Sequence, residues 1–171
     1  MGARLALALL LAAASAAASA PAATAQDVTP QELFGRIIRE DPGTTTAIKR
    51  LLESGAGFVS PRPLFADLTQ DGKQDAVATV VTPGVAGAVA AYVLSADGSR
   101  GNQLKVVYRT QRQYRLRARV ADAVLTLSSP TWRRGDELCC PSQSVERDYA
   151  WNRTLRIMQR KAERVIEQPT G

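Results

Sequence analysis

The chain of 171 residues contains no histidine and only two cysteines. The absence of histidine excludes Ser-His-Asp and Cys-His nucleophile pairs and every histidine-ligated zinc site. Any catalysis would have to run on carboxylates, lysine, tyrosine or thiol. The two cysteines, Cys139 and Cys140, are adjacent, a spacing that excludes a CxxC redox site. Aromatic residues make up 5% of the chain, and the two tryptophans, Trp132 and Trp151, read as anchors of the core or its rim, with a sugar-facing role as the alternative. Beyond residue 25 no apolar run approaches the roughly 20 residues a membrane-spanning helix needs.

One apolar segment stands at the start. Arg4 supplies a positive leader, Leu5 to Ala14 an apolar stretch, and Ala23-Thr24-Ala25 an A-x-A cleavage pattern. Residues 1–25 therefore read as a signal peptide, with Gln26 as the N-terminus after cleavage. No cysteine lies there to carry a lipid. Residues 26–171 are expected to form a single exported α+β domain, extracellular or associated with the cell envelope, large enough for one core. The formal net charge is +6. Outside the cell such a charge meets anionic wall polymers, lipid head groups or acidic polysaccharide. The same charge also simply keeps a small domain soluble. An exported protein seldom meets nucleic acid, so none is expected as a partner, and the domain is expected to be a monomer.

Thr29-Pro30-Gln31-Glu32 carries the marks of a helix start: an N-cap threonine, proline at the first helical position and an acid in the first turn. Leu33, Phe34, Ile37 and Ile38 form one apolar stripe after it. Asp41-Pro42-Gly43 interrupts that helix. A second helix is expected over 44–53, ended by Gly55. From Phe58 the apolar period becomes two. Strands are expected over 58–60, 64–66, 76–81, 89–94, 104–109, 114–120, 124–128, 145–151 and 155–159, with turn residues between them, Asp97-Gly98 among them. Val120-Ala121-Asp122-Ala123-Val124 reads as a tight hairpin, and the tail beyond Lys161 as a short helix or frayed end. Short turns between successive strands favour antiparallel pairing. The expected architecture is α+β, with N-terminal helices packed on a curved, mainly antiparallel β-meander.

Three stretches carry unusual chemistry. The first is the acidic turn Asp67-Leu68-Thr69-Gln70-Asp71-Gly72-Lys73-Gln74-Asp75, which runs straight into an apolar strand. Asp67, Thr69, Asp71, the Lys73 carbonyl and Asp75 have the spacing of an oxygen-ligand Ca²⁺ loop, although Ala78 stands where a bidentate glutamate would close it. The alternative is a tight turn whose aspartates cap backbone N–H groups. The second is Cys139-Cys140-Pro141-Ser142. In an oxidising compartment the cysteines are expected to pair. Such a vicinal disulfide is awkward, because adjacent Cα atoms lie about 3.8 Å apart. It acts either as a rigid kink or as a redox- or ligand-contacting element, with free thiols or an intermolecular bridge as further options. The third is the run from Tyr108 to Val120. In a strand it puts Arg115, Arg117 and Arg119 on one face over Leu116, Ala118 and Val120. That ladder either binds an anionic polymer or is an ordinary wet strand face paired to acids. The carboxylates Asp122, Asp136, Glu137, Glu146 and Asp148 show no general acid and base spacing.

Taken together, Phe65 to Val77, Gly135-Asp136, Cys139-Cys140-Pro141-Ser142 and Tyr149-Ala150-Trp151-Asn152 resemble segments of small exported or lipid-anchored actinobacterial proteins of the LppP/LprE lipoprotein kind. Those proteins carry a DLTGDGxxDAV-like segment and a CCPS segment. The acidic turn alone also resembles that of FG-GAP repeats. The chain departs from the lipoproteins in lacking a lipobox cysteine, and Gln70 replaces the usual turn glycine. The resemblance implies compartment and fold rather than activity. The expected function is therefore that of a non-enzymatic exported protein binding an envelope polymer or envelope protein. A thiol-redox enzyme or a carboxylate-based hydrolase is the alternative.

Overall fold

The computed structural model describes residues 28–96 and 103–168. The expected signal peptide of residues 1–25 and the expected turn at Asp97-Gly98 lie outside the described residues. Those residues hold two helices, α1 (Pro30–Glu40) and α2 (Thr46–Glu53), and nine strands. The strands are β1 (Phe58–Val59), β2 (Leu64–Ala66), β3 (Asp75–Val81), β4 (Ala88–Ser95), β5 (Lys105–Thr110), β6 (Arg117–Ala121), β7 (Val124–Thr131), β8 (Gln143–Asn152) and β9 (Ile157–Glu167).

The start of α1 follows from its first four residues. The Thr29 hydroxyl accepts from the Glu32 backbone N–H at 3.2 Å, and the Glu32 carboxylate accepts from the Thr29 N–H at 3.0 Å. This reciprocal capping box satisfies two donors that a helix end otherwise leaves bare, and it holds the Glu32 carboxyl below its usual range. Helix α2 opens without a side-chain cap of its own. Gln111, just past β5, takes that role: its Oε1 accepts from the Thr45 N–H at 2.8 Å and the Thr45 hydroxyl at 2.9 Å, while its Nε2 donates to the Gly43 carbonyl. The same Oε1 accepts from the buried Tyr92 hydroxyl at 3.2 Å. After α2 the chain reverses through Gly55 at φ +73°, a backbone state glycine adopts without strain.

The strands pair antiparallel throughout, as turn lengths imply, but they divide into two sheets rather than one continuous meander. The first has the order β1-β3-β4-β5, with β2 also paired to β3; the second is β6-β7-β8-β9. In β3 and β4 both faces are used. Ala76, Ala78, Val80, Ala90, Tyr92 and Leu94 join Phe34, Ile38 and Ile48 of the helices in one buried cluster. Val77, Ala91 and Val93 join Leu116, Leu125, Leu127 and Met158 in another, which binds the two sheets together. In that second layer the Tyr108 and Tyr149 rings meet at 4.9 Å between centroids, and burial pushes the Tyr108 hydroxyl well above its usual pKa.

Three local expectations need correction. The strand expected over 114–120 begins at Arg117, because Arg115 takes a left-handed φ of 46° and turns the chain. The strand expected over 155–159 starts at Ile157 and runs to Glu167, so residues 162–167 of the tail are strand rather than a helix or frayed end. It is carried there by a full ladder with β8, from Asn152↔Ile157 to Gln143↔Glu167. The Asp122-Ala123 hairpin is present, with both residues at positive φ, 49° and 58°.

Candidate functional site

The acidic turn joins β2 to β3, and its side chains bond to its own backbone. Both carboxylate oxygens of Asp67 accept N–H groups, from Asp71 and Gly72, each at 3.0 Å. Asp71 accepts from the Lys73 N–H at 2.9 Å. Asp75 is 1% exposed, and its Oδ2 accepts from the buried Thr69 N–H at 2.7 Å. The turn is also tied to the far hairpin, where Arg153 donates to the carbonyl and side-chain oxygen of Gln70, each at 3.0 Å. Asp67, Asp71 and Asp75 do not form a set of ligand atoms within 4.8 Å of one another.

The cysteine loop lies at the opposite end of β8, a strand of ten residues and so about 30 Å long. Cys139 and Cys140 stand at disulfide distance, with their Cα atoms 3.8 Å apart. The loop is held by Asp136, whose Oδ2 accepts from the Arg133 N–H at 2.7 Å and from the Ser142 N–H and hydroxyl at 2.9 Å each. Those backbone donors hold the Asp136 carboxyl below its usual range. Beside it the Tyr114 and Trp132 rings meet at 5.6 Å, and Trp132 donates its indole N–H to the Glu137 carbonyl at 3.2 Å.

The arginines divide. Arg117 and Arg119 point from β6 to the outer, exposed face of the second sheet, while Leu116 lies in the buried cluster between the sheets. Neither the Arg117 nor the Arg119 side chain makes a hydrogen bond or ion pair with another described residue. Arg115 is instead spent on structure: its Nε donates to the Val85 carbonyl at 3.0 Å and its Nη1 to the Cys139 carbonyl at 3.1 Å. It thereby brings the third stretch against the second, a contact that sequence spacing does not show.

Register sets what faces Arg117 and Arg119. Arg117 pairs with Ser128 and Arg119 with Thr126 on β7. Ser128 pairs with Glu146, and Thr126 with Asp148, on β8. Across from these, Arg164 of β9 bonds both Asp148 and Glu146, the latter at 2.7 Å. The Arg164 and Thr126 hydrogen bonds hold the Asp148 carboxyl below its usual range. Arg164 thus shares its one positive charge between two acids, Arg119 adds a favourable charge near Asp148, and the three arginines of this face outnumber its two carboxylates by one.

Two depressions lie over that side. One, of about 280 Å³, is lined by Arg115, Arg117, Ser128, Pro130, Pro141, Gln143, Ser144 and Gln168. The other, of about 310 Å³, shares Arg117, Ser128, Ser144 and Gln168 and adds Arg119, Thr126 and Glu146. Together they form one trough of hydroxyl, amide and guanidinium groups, with the Glu146 carboxylate among them, that runs up to the cysteine loop at Pro141. Sequence reading singled out its arginines and missed Ser128, Gln143, Ser144 and Gln168. The signal for the serines was their alternation with Leu127 and Val145, and it becomes readable only once the outer face is known. No helix among the described residues is long and apolar enough to cross a membrane. No protein-family model, curated protein or solved structure matches this chain.

Proposed function

We propose that this chain is an exported, non-enzymatic binding protein that takes an anionic polysaccharide of the cell envelope along the outer face of its second sheet. The observation that carries the reading is the pair Arg117 and Arg119, exposed, with no direct hydrogen bond or ion pair from their side chains to an acid among the described residues, and bordered by hydroxyls and amides suited to sugar oxygens. A trough of two linked depressions suits an extended polymer better than a compact small molecule. The acidic groups support the same reading over a hydrolase. Asp136 and Asp148 are held ionised by their donors, so neither suits the part of a general acid. Export rests on the leader of residues 1–25, and the acidic turn acts as a hydrogen-bonded corner tying β3 to the Arg153 hairpin.

The test is binding of the purified protein to a uronic-acid or sugar-phosphate polymer, beside a neutral glucan of similar length. Binding to the anionic polymer alone is expected, and it should weaken with salt as the screening length falls from about 10 Å at 0.1 M to about 3 Å at 1 M. Exposed charge contacts are worth up to about 1 kcal/mol each, so R117A combined with R119A should weaken binding by up to about thirtyfold. Equal binding to the neutral glucan, or an unchanged affinity in the double variant, would overturn the reading.

A further inference from the structure

Among the described residues, the thiol and carboxylate groups that gather three ligand atoms within 4.8 Å of one another are Glu137, Cys139 and Cys140. All three are exposed at the tip of the cysteine loop. We propose that this tip is a redox-gated site for one soft divalent cation of the zinc or cadmium class. The Cys139–Cys140 pair is closed as a disulfide, and in that form its sulfurs are poor ligands. A dithiol reductant opens it: the S–S bond breaks, two S–H bonds form, and the reductant's own thiols join as a disulfide. The cation then displaces both thiol protons, forming two metal–sulfur bonds and one metal–oxygen bond to Glu137, with water in the fourth position.

The geometry favours this chelate. With metal–sulfur and metal–oxygen bonds of about 2.3 and 2.1 Å, a tetrahedral site needs sulfur and oxygen about 3.6 Å apart. Cys139 Sγ already lies 3.5 Å from Glu137 Oε2. The two sulfurs need about 3.8 Å, a separation open to them once the bond between them is gone. The frame that presents the ligands does not depend on the disulfide. The Cys140 N–H donates to the Glu137 carbonyl at 3.0 Å, Trp132 holds that same carbonyl, and Asp136 ties Arg133 to Ser142. Charge agrees as well. Two thiolates, one carboxylate and a divalent cation sum to one negative charge, beside the Arg115 guanidinium bonded to the Cys139 carbonyl. Exposed disulfides belong to the class that small thiols and dithiols can reach. The site uses neither Arg117 nor Arg119, so it stands independently of polysaccharide binding.

The experiment titrates Cd²⁺ into the full chain, once oxidised and once reduced by a dithiol that is then removed under anaerobic conditions. Sulfur-to-metal charge-transfer absorption reports the bond formed. The reduced protein is expected to saturate at one ion per chain, and the oxidised protein to show no band. C139S should lose the band. Even groups that only orient a ligand are worth about 10- to 100-fold in metal affinity, so E137Q, which removes a direct ligand from an exposed position, should weaken binding by at least tenfold. Far-UV circular dichroism checks that both variants keep their sheets. The proposal is overturned if the reduced protein gives no band, if E137Q binds as tightly as the parent, or if saturation falls at one ion per two chains.

Discussion

Asp75 is a carboxylate at the head of a central strand, 1% exposed, with Thr69 buried against it at 3%. Its Oδ2 takes the Thr69 N–H at 2.7 Å and its Oδ1 faces the Thr69 hydroxyl at 3.4 Å. Replacing Asp75 by alanine leaves a buried backbone donor with no acceptor and a hydroxyl with one partner fewer. An orphaned buried donor costs about 1–3 kcal/mol, and the lost hydroxyl contact adds up to about 1 kcal/mol. The expected loss for Asp75→Ala is therefore about 1–4 kcal/mol. For a domain of this size it lowers the unfolding midpoint by roughly 2–16 °C. Asp75→Asn keeps one oxygen for the Thr69 N–H and should lose only about 1 kcal/mol. The exposed Asp71→Asn, whose single contact is the Lys73 N–H, should lose less. Urea unfolding of the three variants in EDTA gives the ranking, with unchanged m-values as the two-state control. Asp75→Ala losing under 1 kcal/mol, or Asp75→Asn matching it, would refute the buried-acceptor argument. The same melts in millimolar calcium address the turn as a metal loop. A site filled to 100 times its Kd adds about 2.7 kcal/mol. Equal midpoints with and without calcium are expected, since both oxygens of Asp67 already accept backbone N–H groups. A calcium-dependent rise that Asp71→Asn abolishes would overturn that expectation.

Three further outcomes follow from the geometry. Ala123 holds φ +58° in the β6–β7 turn, where a side chain costs about 1 kcal/mol relative to glycine, so Ala123→Gly should stabilise the domain by about that much in urea unfolding. Leu125, fully buried between the sheets, should lose about 2–5 kcal/mol on replacement by alanine, measured the same way. Asp148 has a depressed folded pKa, so its contribution to stability is present above the ordinary carboxylate value of about 3.9 and disappears as pH falls through the lower folded value. Asp148→Asn should accordingly be less stable at neutral pH and should lose part of the acid-side slope in a series of melts from pH 6 to pH 2. An unchanged slope would place that pH dependence on other carboxylates.

Much of the local structure is written in short-range chemistry. The N-cap of α1 at Thr29, the break at Asp41-Pro42-Gly43, Gly55 after α2 and the Asp122-Ala123 hairpin all depend on residues within a few positions of one another, and each is found where expected. Strand existence was equally legible, because alternation is a property of the backbone itself. Ends were less so: β9 outruns its expected five residues because the ladder to β8, and not its own mixed charges, keeps it extended.

The chain by itself therefore determined an α+β, antiparallel architecture, an acidic turn leading into a strand, and an adjacent cysteine pair; whether the aspartates of the turn cap backbone N–H groups was left to the tertiary structure. Tertiary structure decided the rest. It divided the strands into two sheets, because β3 and β4 are apolar on both faces and need cover on both, whereas β6 alternates and can leave one face wet. It removed Arg115 from the ladder and set it on the cysteine loop. It tied Glu146 and Asp148 to Arg164, 16 to 18 residues away, and left the Arg117 and Arg119 side chains without a direct ion pair among the described residues. Which charges meet across a sheet depends on register between distant segments, and register is set by burial of the opposite face rather than by the charged residues themselves.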